Sequence, residues 1–242
     1  MSIETSSGTL TVISSMATRH VLAQLSAAYE AMSGQRVSIV SVGGVEAARR
    51  IQEGERFDIV VLASDALDRL AKAGHVVAAD RVDVARSEIA IAIRHGAPRP
   101  DIGSESALRD AVLRARTIGY STGPSGTHIL DLLRRWGLAE VIANRIVEAP
   151  PGVPVGRLVA EGKVELGFQQ LSELVHLPGI DVIGMLPTEV QAVTVFSAAI
   201  CATSERQRAA KAFLRYLASP DGDRVKIEHG MAPAQREASS RT

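Results

Sequence analysis

Thr9-Leu10-Thr11-Val12-Ile13, a helical pattern over residues 16–32, and then Val37-Ser38-Ile39-Val40 form the stretch on which the fold turns. The first apolar run is short enough for a buried strand. Val21, Leu22, Leu25 and Tyr29 then recur near helical spacing, and Gly34 stands where a helix C-cap belongs. The pattern repeats with a helix over 45–54, the strand Asp58-Ile59-Val60-Val61-Leu62, and a helix over 65–73 closed by Gly74. Strands alternating with helices predict βαβ units and a mostly parallel sheet.

Further on the rhythm changes. Glu88-Ile89-Ala90-Ile91-Ala92-Ile93 is a long strand-like run, followed by Gly96-Ala97-Pro98-Arg99-Pro100. This reads as the chain crossing into a second lobe. That lobe alternates again, with a helix over 106–115, a strand over 117–120, a helix over 126–136, the strand Arg145-Ile146-Val147, a helix over 154–161 and a strand over 165–168. The apolar run over 192–200 reads as the return, after which a helix over 205–218 rejoins the first lobe. The expected fold is therefore α/β with two lobes, each a mostly parallel sheet flanked by helices, joined by two crossover strands. Residues 1–87 and 195–242 form lobe I, and 88–194 an inserted lobe II, with a ligand cleft between them. The polar tail over 235–242 reads as disordered.

Composition removes several functions. Lys plus Arg (27) equals Asp plus Glu (27), and aromatics are 3% of the chain. A nucleic-acid partner normally needs a basic excess or stacking rings, and neither is present. No stretch has the length of uncharged apolar sequence that spans a bilayer. The single cysteine, Cys201, lies in an apolar run and reads as a buried, inert thiol. Residues 1–8 have no basic start and no apolar core. As written they are not a secretory signal, which predicts a cytoplasmic protein; the alternative is a periplasmic protein whose leader has been removed.

In open α/β sheets ligands bind beyond the carboxyl ends of the strands, where helices begin and present unpaired N–H groups. The junctions there are Ser14-Ser15-Met16, Ser41-Val42-Gly43-Gly44, Ser121-Thr122-Gly123-Pro124-Ser125-Gly126-Thr127 and Gln169-Gln170. Serine, threonine and glycine cap helices in any protein. All four junctions on one side of two sheets point instead to an anion held close to the backbone. Gly123-Pro124-Ser125-Gly126 lacks the Gly-Lys-Ser/Thr ending of a P-loop and the spacing of a hydrolase elbow.

Taken in order, several segments resemble a known family: Val12-Ile13-Ser14-Ser15-Met16, Ala48-Arg49-Arg50-Ile51-Gln52-Glu53-Gly54 with Phe57-Asp58-Ile59-Val60, Gly123-Pro124-Ser125-Gly126, and residues 158–167. The chain, from Leu10 to about Met231, is similar to the type II periplasmic-binding-protein superfamily. Within it the likeness is to the molybdate-binding branch of ABC-transporter solute-binding proteins. The resemblance implies two α/β lobes joined by two strands, an oxyanion between them, and an ABC-transporter permease as partner. By motif, Ser15 matches a serine that donates to the ligand, and Pro124-Ser125-Gly126 matches a backbone donor. The segment near Val153, with Pro154 and Val155, matches another. The chain departs from the pattern at Gly43-Gly44, where a Ser-rich turn is usual, and at Gln170, where a tyrosine is frequent. Both departures remove hydroxyls and favour a larger organic anion, such as a di- or tricarboxylate.

A carboxylate ligand calls for a positive partner. Arg157 and His20 are best placed; Arg19, Arg49 and Arg50 read as solvated. His75, His95, His176 and His229 read as exposed. His20 and His128 each follow a candidate anion-binding turn, and with Glu46 are candidate bases. No His/Cys spacing suits a metal, and no cofactor motif is present. The expected function is a solute-binding protein closing around a small oxyanion or organic carboxylate. The alternative is an isomerase of a small tricarboxylate, since aconitate isomerase resembles the same branch.

Overall fold

The computed structural model describes residues 8–234, so the readings of the first seven residues and of the 235–242 tail lie outside it. Along the chain run β1 (Leu10–Ser15), α1 (Arg19–Ser33), β2 (Val37–Val42), α2 (Gly44–Gln52), β3 (Ile59–Ala63), α3 (Ser64–Lys72), β4 (Val82–Arg94), α4 (Glu105–Arg114) and β5 (Ile118–Tyr120). There follow α5 (Pro124–Arg135), β6 (Ile146–Glu148), α6 (Val155–Ala160), β7 (Leu166–Gln170), α7 (Leu171–Leu174), β8 (Ile180–Met185), β9 (Val193–Ile200), α8 (Gln207–Ala218), α9 (Asp223–Glu228) and β10 (Ala232–Pro233). The chain divides into unit 1, Met1–Arg86 with Val195–Thr242, and unit 2, Ser87–Thr194. It passes from one to the other within β4 and returns within β9.

In unit 1, β1 lies between β2 and β3, parallel to both, with Leu10 opposite Val37 and Val12 opposite Ile59. β9 adds to β3 antiparallel, Ile59 facing Ile200. Alternate residues feed two cores. Leu10, Val12, Ile59 and Val61 pack with Val21, Leu22 and Leu25 of α1 and with Phe213 and Leu217 of α8. Ile13, Val60 and Leu62 pack with Ala47 and Ile51 of α2 and with Leu67 and Leu70 of α3. Covering both faces is why β3 reads as an unbroken apolar run and β1 as a mostly apolar one. Gly34 closes α1 at φ +73, its N–H donating to the Glu30 carbonyl at 2.8 Å. Buried Asp58 ties β3 to β1: it accepts the Thr11 N–H at 3.0 Å, the Thr11 hydroxyl at 3.2 Å and the Ser204 hydroxyl at 2.7 Å.

In unit 2, β5 lies between β6 and β7, parallel to both. β4 pairs antiparallel with β7, Ile89 opposite Gln170, and antiparallel with β8. Its core joins Ile89, Ile91, Ile118, Leu166 and Phe168 to Leu108 of α4 and Ile129 and Leu133 of α5. Parallel ladders thus carry the strand–helix repeats, while the long strands add antiparallel pairs in both units.

Several boundaries differ from the sequence expectation. β1 runs through Ser14 and Ser15, β2 through Ser41 and Val42, and β7 through Gln169 and Gln170. These residues are in strands because ladder partners extend that far: Ser14 faces Ser41, Ser15 faces Val42, and Gln169 faces Ala90. The α5 helix starts at Pro124, not Gly126, since proline needs no N–H partner in a first turn. A 3-10 turn over Met16–Thr18 precedes α1. The short elements α7, β8, α9 and β10 were not expected.

Candidate functional site

Within unit 1 the strand ends bring Ser15 and Gly44 together: a Cβ on Gly44 would lie 3.8 Å from that of Ser15. Ser15 is almost wholly buried, and the Thr18 hydroxyl donates to its carbonyl at 3.0 Å. Ser14 is fully buried and shares a 2.8 Å hydrogen bond with Ser41. Met16 opens the 3-10 turn that follows. Gly43 precedes α2 at φ −57, a backbone any residue adopts, with no atom within 4 Å of where a Cβ would stand. Open space, not backbone strain, is what this glycine provides.

The candidate bases of unit 1 have partners. Glu46 accepts from Arg49 at 2.9 and 2.8 Å, and this guanidinium holds its carboxyl below the usual carboxylate range. A carboxylate so held is a weak base near neutrality. Arg49 also binds Glu53, and Arg50 binds Glu55. His20 is exposed, 3.2 Å from Arg19 through Nε2, and stacks on the His229 ring at 6.0 Å. His229 is half-buried and bonds Gln24 at 2.7 Å, so it is less open than its loop position implied.

Within unit 2 the turn after β5 is built around Gly126. A Cβ there would stand 1.6 Å from the Ser121 carbonyl oxygen, so the loop closes against the helix only because none is present. Ser121 and Ser125 share a 3.1 Å hydrogen bond, and Ser125 is buried. Pro124 is the first residue of α5, and Thr127, exposed, donates its N–H to the Gly123 carbonyl at 3.1 Å. His128, one turn on, donates Nε2–H to the Val190 carbonyl at 2.8 Å, which in the neutral ring leaves Nδ1 as the basic nitrogen.

The α6 end is occupied from inside the unit. Pro154 caps it, and the Val155 N–H donates to the Gln169 side-chain oxygen at 2.8 Å. Gln169 in turn donates to Glu173 at 2.8 Å. Arg157 is exposed and reaches Glu161 along its own helix at 3.0 Å. Both residues thus have partners within unit 2.

Gln170 is different. Its amide nitrogen donates to the Thr194 hydroxyl at 2.8 Å, while its Oε1 is buried with no hydrogen-bond partner. Two serine hydroxyls share that condition, Ser87 on β4 and Ser172 on α7. The antiparallel register, Ile89 opposite Gln170, brings all three residues to the carboxyl end of β7. Buried polar atoms are nearly always satisfied, so these three atoms call for a partner from outside the chain, an ordered water or a bound ligand. Ser87 and Ser172 were missed by the sequence reading, since Ser87 stands between Arg86 and Glu88 and Ser172 beside Glu173, where a hydroxyl gives no local signal. Among the described residues no group of three His, Cys, Asp or Glu could hold a metal, and no helix is long and apolar enough to cross a membrane.

Residues 10–232 match the family described as bacterial extracellular solute-binding protein, and the chain belongs to that family. It is 37% identical over 231 residues to an aconitate isomerase of Pseudomonas sp, an alignment covering 93% of this chain and 88% of that one. Among solved structures it is similar to the periplasmic molybdate-binding protein of Azotobacter vinelandii, at 20% identity and TM-score 0.78, covering 93% of this chain and 100% of that one. It is likewise similar to the tungstate-binding protein of Desulfovibrio alaskensis G20, at 14% identity and TM-score 0.69, covering 95% and 100%. The fold is thus that of the periplasmic solute-binding structures to which it is similar.

Proposed function

We propose that this protein binds a small tricarboxylate of the aconitate class and interconverts its double-bond isomers. The observation that carries the reading is the 37% identity to an aconitate isomerase along nearly all of both chains. The residues agree with it. Gly43 leaves room where a compact oxyanion would need a hydroxyl, and Ser87, Gln170 and Ser172 offer neutral polar groups to a carboxylate. The Gln170 amide can bind Thr194 through either end, because a hydroxyl both donates and accepts. Turned over, it presents Nε2–H to an anion.

The reaction needs a proton removed from the methylene carbon beside one carboxylate and returned at the far end of the allylic unit. The charge that builds up spreads onto a carboxylate, where N–H and O–H donors stabilise it. His128, with Nδ1 as its basic nitrogen, suits the proton transfer best; His20 is the second candidate, and Glu46 the weakest. No metal or cofactor enters this scheme.

Incubation with cis- or trans-aconitate, followed by proton NMR, should show interconversion that His128→Ala reduces by at least about a hundredfold. Binding without turnover would leave the second reading, a receptor handing the anion to an ABC-transporter permease, which the family membership favours. Tight molybdate binding with no aconitate binding would sink both. Ser15→Ala and Ser125→Ala test whether each unit contributes to the ligand. The family description also favours a place outside the cytoplasm over the cytoplasmic expectation, and cell fractionation with the native gene decides it.

A further inference from the structure

Unit 2 carries a concave site at the end of its strands opposite Gln170, where β4 finishes and β5 and β7 begin. The cavity measures about 610 Å³, within the roughly 300–1,000 Å³ range of small-molecule pockets. Its lining includes five cationic side chains, Arg94, Arg99, Arg114, Arg116 and Lys163, against one carboxylate, Glu165. Three of the cations have acidic partners: Arg116 with Glu165 at 2.9 Å, Lys163 with Glu161 at 2.7 Å, and Arg99 with Asp181 at 3.9 Å. Arg94 and Arg114 have none among the described residues. Between the charges lie aliphatic groups, Ile93, Val164 and Leu166 among them, and no aromatic ring.

We propose that this pocket binds an aliphatic phosphate monoester. Two uncommitted guanidinium groups suit a dianionic phosphate, which accepts paired N–H donors from arginine. The apolar floor suits a hydrocarbon body and, without aromatic rings, offers nothing for a nucleobase to stack on. The site is separate from the candidate site around Gln170, which lies at the opposite end of β7, and it does not depend on the isomerase reading.

Hexyl phosphate and inorganic phosphate are the probes, followed by calorimetry at low salt. Hexyl phosphate should bind one to one and more tightly than inorganic phosphate. The double variant Arg94→Ala/Arg114→Ala should weaken it by about tenfold or more, the scale of one lost charge-assisted hydrogen bond. Aconitate binding and the thermal midpoint should not change. Equal affinity for the two probes, an unaltered affinity in the double variant, or competition between hexyl phosphate and aconitate would each overturn the proposal. Arg69→Ala, which removes an exposed unit 1 arginine paired with Asp65, should leave hexyl phosphate binding intact; a loss as large as that of the double variant would show non-specific charge attraction and also overturn it.

Discussion

The side-chain oxygen of Gln169 on β7 accepts the backbone N–H of Val155, the first residue of α6, at 2.8 Å. The first N–H of a helix end that the sequence marks as a ligand donor thus has an acceptor within the same unit. Gln169→Ala strands a buried N–H and should cost about 1–3 kcal/mol, seen as a lower urea midpoint with an unchanged slope. Gln169→Glu keeps an acceptor but sets a second carboxylate beside Glu173. Repulsion raises the folded-state pKa of that pair, so this variant should regain stability as pH falls through the carboxylate range.

The contrast between two glycines tests the turn before α5. Gly126→Ala places a methyl 1.6 Å from a backbone oxygen, whereas at Gly123 the nearest atom is the Ser121 hydroxyl at 3.8 Å. The first should cost about 3 kcal/mol or more and weaken ligand binding; the second should stay within about 0.5 kcal/mol. Paired urea titrations give both values. Equal costs would mean that the turn relaxes freely.

Burial pushes the Cys201 thiol up to about 12, with Asp58 adding to the effect. Its folded pKa exceeds the unfolded one, so the folded state holds the proton longer. The associated stability is complete below about pH 8.5 and is lost as pH rises toward 12. Burial likewise raises Tyr29, Tyr120 and Tyr216, so the alkaline decline should be steep. Cys201→Ala should flatten its lower part. A disulfide reagent at pH 8 should label Cys201 only after denaturant is added; rapid native labelling would contradict the burial.

Asp58 joins β3 to β1 and to Ser204 through the hydrogen bonds described above. Asp58→Ala leaves Thr11 and Ser204 unsatisfied and should cost about 2–4 kcal/mol by chemical denaturation. A loss under about 1 kcal/mol would show that water replaces the carboxylate.

How far the sequence carried the fold follows from what each element rests on. β1 and β3 were legible because both faces are covered, which makes β3 wholly apolar and leaves Thr11 as the one polar residue between Leu10 and Ile13 of β1, and Gly34 and Gly74 punctuate the helices at positive φ. β8 was not legible: all six residues are half-buried, one is Gly184 at φ +156, and its pairing with β4 is irregular near Ile91. In the candidate site, the Ser121–Gly126 turn could be read locally. The Val155–Gln169 bond joins residues fourteen apart in the chain, and the orphaned hydroxyls of Ser87 and Ser172 depend on what surrounds them. Local spacing shows neither. Serines ending a strand also look the same in sequence as serines beginning a loop.

Unit 2 is one uninterrupted segment, while unit 1 is assembled from two pieces of chain. Phe196, Ile200, Phe213 and Leu217, which complete the core around Leu10 and Val12, all come from the second piece. A polypeptide leaving the ribosome amino end first therefore has β1 to β3 available long before β9 arrives to cover the edge of β3. The inserted unit is complete in the chain before unit 1 is, so β1 to β3 need shielding until β9 and α8 are made.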